Sequence, residues 1–137
     1  MIDIENDVIN RVSRILENRF PGIAVSAEYI HKPSSLPAVT VVEANNVVRR
    51  SMRADRIENA ADVTYDVQIY SGKIGEEKSE AKEIADVVDE IFAEGGFTRT
   101  LRQQLPNAYD ASIFRLVLRY EGTVGREKNG EFLVYHN

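Results

Sequence analysis

The chain reads as an α+β domain on three grounds. Two segments repeat apolar residues at helical spacing, and five to six others alternate apolar with polar residues. The third ground is the order: helix, two strands, long loop, strand, helix, strand hairpin, tail strand. It predicts a single domain over residues 1–137, with an antiparallel or mixed sheet of about five to six strands and both helices on one face. Strands of alternating polarity fit a sheet covered on one side only.

The first helix is expected from Ile4 to Phe20, where Val8, Ile9, Val12, Ile15 and Leu16 share a face. Asp3, Glu5 and Asp7 suit the positive end of its dipole, and Pro21-Gly22 ends it. Residues 23–30 predict a strand with Ile23, Val25, Ala27 and Tyr29 on one side; a Pro33-to-Pro37 turn leads to a second, "AVTVVEA". From Asn45 to Ala60 the run "NNVVRRSMRADRIENA" has no steady period, which predicts a long, basic, mobile loop. "DVTYDVQIYS" then alternates, with Val63, Tyr65, Val67 and Ile69 together.

The second helix is expected from Glu76 to Ala93, burying Ala81, Ile84, Ala85, Val88, Ile91 and Phe92 and stopping at Gly95-Gly96. Two strands follow, "GFTRTLRQQL" and "ASIFRLVLRYEGTV", joined through "PNAYD". In the second, Phe114, Leu116, Leu118 and Tyr120 face inward, and Arg115, Arg119 and Glu121 outward. Residues 125–137 predict a turn at Lys128-Asn129-Gly130 and a short last strand.

A length of 137 residues allows one ordinary core. Lys plus Arg number 17 against 22 Asp plus Glu, a net charge of -5, where a nucleic-acid binder usually carries the opposite sign. Without cysteine there are no disulfides or thiolate metal ligands. No apolar run reaches the roughly 18 residues of a membrane span, and the acidic start is unlike a signal peptide, so a protein made in a cytoplasm is expected.

Strand, glycine turn, lysine and helix also describe a phosphate-binding loop, and "SGKIGEEK" has that layout. Its spacing is wrong: Gly72 and Gly75 bracket only Lys73 and Ile74, and Glu76 and Glu77 occupy the helix end a phosphate would need. His31 and His136 stand alone, without a second ligand at metal spacing. Ser34 and Ser35 lie in a turn lacking a nucleophile-elbow pattern. Asp86 and Asp89-Glu90 could attract a hard cation, but no calcium loop surrounds them. The expectation is no enzyme, with no catalytic, cofactor-binding or metal-ligating residue.

Charge is more informative. The 45–60 segment carries Arg49, Arg50, Arg53 and Arg56 against Asp55 and Glu58. The second helix carries eight acids, Glu76, Glu77, Glu80 and Glu83 leading, against Lys78 and Lys82. Such opposed patches can be two solvated surfaces, or complementary surfaces on neighbouring subunits. A head-to-tail use of two patches closes into a ring when the rotation permits.

The succession "ENAADVTYDVQIYS", "GKIGEEKSEAKEIADVVDEIF", "GFTRT" and "LPNAYDASIFRLVLRYEGTV", spanning Glu58 to Val124, resembles the tail terminators of long-tailed bacteriophages and prophages. These are also labelled tail-completion, head–tail joining or minor capsid proteins. The resemblance implies a structural virion protein that forms a ring, expected to be a hexamer, on the head-proximal end of the tail tube. The ring would stop tube polymerisation and offer a docking surface to the head connector, with DNA only as cargo passing through its lumen. Synthesis would be in the bacterial host cytoplasm, with no membrane partner and a free subunit largely monomeric. Arg49, Arg50, Arg53 and Arg56 would meet acids of an adjacent subunit, with the Glu76–Glu94 helix the first candidate, or of the tail tube; alternatively they would touch passing DNA. The alternatives are a head-completion or connector protein binding the portal side and, more remotely, a small α+β enzyme.

Overall fold

The computed structural model describes residues 3–30, 32–48, 60–106, 110–126 and 132–135. Among them two helices and six strands form one α+β unit. The elements are α1 (Glu5–Arg19), β1 (Ala24–Ser26), β2 (Ala38–Val48), β3 (Ala60–Ser71), α2 (Glu77–Glu94), β4 (Thr98–Pro106), β5 (Phe114–Arg126) and β6 (Phe132–Tyr135). The sheet order is β1-β2-β3-β5-β4, with β6 also paired to β5. β1 runs parallel to β2, and every other pair is antiparallel. The sheet is therefore mixed.

Both helices lie on one face. Val12 and Leu16 of α1 and Ala81, Ile84, Ala85, Val88, Ile91 and Phe92 of α2 share one buried cluster with Val39, Val41, Val63, Tyr65, Val67, Ile69, Leu116, Leu118 and Tyr120 of the strands. Helical period on one side and a period of two on the other bring these residues together. Val87 is buried as well, so the apolar stripe of α2 is wider than expected. Arg115 and Arg119 take the opposite face, where Arg115 Nε donates to Gln68 Oε1 at 3.0 Å and Arg119 Nε to Asp66 Oδ1 at 2.8 Å.

The termini of the helices follow local chemistry. The Glu5 amide donates to Asp3 Oδ1 at 3.1 Å, meeting one of the donors a helix start leaves open. Gly75 sits at φ 78° in the turn before α2, where a Cβ would be strained.

Four expectations need correction. The strand expected over 23–30 is only Ala24–Ser26, because β1 finds partners only at 38–40. Tyr29 is 53% exposed and points its hydroxyl to Asp66 Oδ2 at 3.4 Å, on the face away from the helices. That face is also not bare. Ala38, Tyr70 and Ile113 form a second small buried cluster, Thr40 and Thr123 are buried, and the Ile30 carbonyl lies 2.7 Å from the Tyr70 hydroxyl.

Third, the loop expected from Asn45 to Ala60 is shorter. Asn45 to Val48 continue β2, paired with Thr64 to Ala61, and Ala60 opens β3. The register shifts between Glu43 and Asn45, so a bulge moves the alternation by one residue and hides the strand from a period-two search. Residues 49–59, which hold all four candidate arginines, lie outside the described residues. Fourth, Gly125 and Arg126 belong to β5 rather than to a terminal turn, pairing with Leu133 and Phe132 of β6. The Lys128-Asn129-Gly130 turn lies outside the described residues.

Ile84 is fully buried and Leu116 nearly so. Truncating either to Ala should cost about 2–5 kcal/mol in chemical denaturation. Arg119→Ala should cost far less, since its ion pair with Asp66 is exposed on the arginine side.

Candidate functional site

The candidate residues divide between the two ends of β3. Arg49, Arg50, Arg53 and Arg56 sit in the connection that leaves β2 after Val48 and returns at Ala60. Glu76, Glu77, Glu80 and Glu83 sit at the start of α2, beyond Ser71. β3 has 12 residues, which sets its ends roughly 36 Å apart. An 11-residue excursion that must return to Ala60 reaches no more than about 20 Å from it. The arginines therefore cannot meet the Glu76–Glu80 turn of their own chain.

Three of the four acids are tied locally. Lys73 Nζ pairs with Glu76 Oε2 at 2.9 Å, and the hydrogen bond and charge of that carboxylate push the lysine's pKa up. The Gly75 amide donates to Glu77 Oε1 at 3.3 Å, and Ser71 Oγ to Glu80 Oε1 at 2.6 Å. Glu83 is exposed and makes no hydrogen bond or ion pair with a described residue. The structure thus binds Lys73 to a carboxylate rather than presenting it to an anion.

Further along α2 the acids meet arginines that sequence reading did not pair with them. Arg102 lies 3.7 Å from Asp86, Arg99 3.3 Å from Asp89 and Arg11 3.4 Å from Glu94. Asp89 also accepts from the Tyr120 hydroxyl at 3.2 Å. Asp86 and Asp89, considered above for a hard cation, are thus engaged by guanidinium groups. The missed signal was in β4, whose helix-side residues include Arg99, partnering Tyr120, and Arg102, partnering Leu118.

A second group was also missed. Asp3, Glu5 and Glu43 come together, their carboxylate oxygens within 4.8 Å of one another. They are distant in sequence; the fold brings Asp3 and Glu5, at the start of α1, beside Glu43 of β2. Burial first, then the charges of Glu5 and Asp3, push Glu43's pKa up, while hydrogen bonds from Asn46 and Tyr65 oppose this. None of the three forms an ion pair with a described residue. Such a set can hold a cation, whether a metal ion or an incoming basic side chain.

Among the described residues no other metal-binding group of acids and histidines comes together. Burial, with the nearby carboxylates second, pushes Tyr65 and Tyr120 far above the ordinary phenol range, so both stay neutral and serve as donors. His31 and His136 lie outside the described residues, and Ser34 and Ser35 are exposed. A groove between the helices has Ile15, Val87 and Ile91 beneath Arg14, Arg19, Glu90 and Glu94. No protein-family model matches the chain, and no curated protein matches it.

Glu43 yields a signed expectation. A carboxyl whose folded pKa lies above its unfolded value binds more protons when folded, so its contribution falls as pH rises through that window. Glu43→Gln keeps an acceptor for Tyr65 and removes the charge. It should raise Tm at pH 7 and change it little at pH 4, as read by thermal denaturation at both values.

Proposed function

We propose that the chain is a tail terminator, a ring-forming structural subunit that caps a phage tail tube and presents a docking face to the head connector. The single observation that supports this most is polarity along β3. The arginine-bearing connection leaves one end of that strand, and the acidic start of α2 stands at the other. Copies arranged with their strands across a ring wall would form one basic rim and one acidic rim. A cap between two different partners needs two such unlike faces.

In this reading Arg49, Arg50, Arg53 and Arg56 meet carboxylates of the tail tube, where a planar guanidinium can pair in two-pronged fashion. The Glu76–Glu80 turn of the same chain is out of reach, and an adjacent copy in the same orientation keeps that turn on the far rim. Glu76, Glu77, Glu80 and Glu83 then face the connector. The role requires no catalysis.

Replacing Arg49, Arg50 and Arg53 together by Ala should leave thermal stability nearly unchanged. It should weaken capping of purified tail tubes in negative-stain microscopy at least tenfold, and added salt should weaken the wild type in the same direction. Normal capping by the triple variant would remove the arginines from the interface. In calorimetry, micromolar ATP or GTP binding abolished by Lys73→Ala would point to the enzyme alternative instead.

A further inference from the structure

Among the described residues the sheet is open along both sides. β1 covers the outer edge of β2 only at Ala38, Val39 and Thr40, so no described strand pairs with Val41–Val48 on that edge. At the other side β4, nine residues long, has β5 on its inner edge and no described strand on its outer edge. An open edge is a template for strand addition, and charged side chains normally guard it. Here the guards differ in sign. The β2 edge carries Glu43 with Asp3 and Glu5 beside it, and the β4 edge carries Arg99 and Arg102. Like charge discourages β4 from pairing with β4 and β2 with β2, while opposite charge favours the mixed contact.

We propose that copies of this chain join edge to edge, β4 of one adding antiparallel to Val41–Val48 of the next. The proposal rests on the ring reading above and specifies its subunit contact. Three structural facts support it. β4 runs antiparallel to β2 within the sheet, so copies in the same orientation meet with antiparallel edges. The open stretch of β2 and the length of β4 match to within a residue. Glu43 and Arg102 both sit on the helix side of the sheet, opposite Tyr65 and Leu118 respectively.

β1 determines the stagger. It occupies the lane an unshifted β4 would take, so the incoming strand moves four residues along to lie end-on to β1. An even shift keeps every side chain on its face. Followed across the paired registers, the shift sets Gln104 opposite Glu43, Arg102 on the diagonal to it, and Gln103 opposite Asn45. Diagonal neighbours stand roughly 7–8 Å apart, within reach of an arginine. Arg102 would exchange its exposed contact with Asp86 for the acidic group. That group has no cation among the described residues, and Glu43 already resists ionising there. The two edges belong to different surfaces of one subunit, so the contact is head-to-tail and can close a ring.

The chain has no cysteine, so introduced pairs can be read directly. Asn45 and Gln103 are both exposed on the face away from the helices. The double variant Asn45→Cys, Gln103→Cys, oxidised mildly at high protein concentration, should give a ladder of covalent oligomers. Each single variant should give at least tenfold less product. Adding Arg102→Glu should suppress the ladder, and Asp3→Lys with Glu5→Lys should restore it. No ladder from a double variant with wild-type circular dichroism, or equal cross-linking by the single variants, would overturn the contact. Tube capping by the wild type is measured in parallel to separate the two proposals. Capping without a ladder retires the edge contact alone, and a ladder without capping retires the terminator reading alone.

Discussion

Phe92 is the residue around which the rest is arranged. Its ring stacks on Tyr120 at 4.3 Å and meets Tyr65 at 5.9 Å and Phe97 at 5.4 Å. Each such pair adds about 0.5–1.5 kcal/mol beyond the area it buries. More important is what the cluster positions. It clamps the last turns of α2 over β3 and β5, so the helix runs back along the sheet and its first turn reaches Ser71, where Glu80 accepts a hydrogen bond. The acidic end of α2 is thereby held far from Val48 and Ala60.

The same cluster organises charge across the sheet. Glu43, Tyr65, Tyr120 and Arg99 are successive partners on β2, β3, β5 and β4, so they form one row on the helix side. The two tyrosines bury their rings and send their hydroxyls outward, Tyr65 to Glu43 at 3.4 Å and Tyr120 to Asp89 at 3.2 Å. A buried phenol needs a partner for its hydrogen, and a carboxylate at the rim of the core supplies one. The row begins in an acidic group and ends in arginines. Its polarity across the strands is independent of the polarity along β3, and the two together give the subunit unlike surfaces in two directions.

Much of this fold was legible in the residues. α1, α2, β3 and the inner face of β5 follow from uninterrupted periods of 3.6 and two. The periods select Val12, Leu16, Val63, Tyr65, Val67, Ile69, Ile84, Val88, Leu116, Leu118 and Tyr120 of the core. Val8, Ile9, Ile15 and Phe114 are only partly buried, while Val87 and Tyr70 are buried beyond the expected faces. Where the period breaks, sequence reading failed for a physical reason. The bulge after Glu43 shifts the alternation, so Asn45–Val48 looked like loop. The three-residue β1 is too short to establish a period of its own. The candidate arginines were visible as a charge run, and the acids of α2 as another. The partners that engage Asp86 and Asp89 were not, because Arg102 and Arg99 lie on a strand that alternation alone gives no reason to place beside the helix.

By itself the sequence determined the α+β class, the two helices on one face and the absence of cysteine chemistry. These depend on local spacing and composition, which need no knowledge of distant neighbours. Only the tertiary structure decided which strands have open edges, that Asp3, Glu5 and Glu43 converge, and that the basic connection and the acidic helix start lie at opposite ends of β3. Those facts depend on strand order and register, set by how residues far apart in the chain pack around Phe92. Local periodicity carries no record of that arrangement.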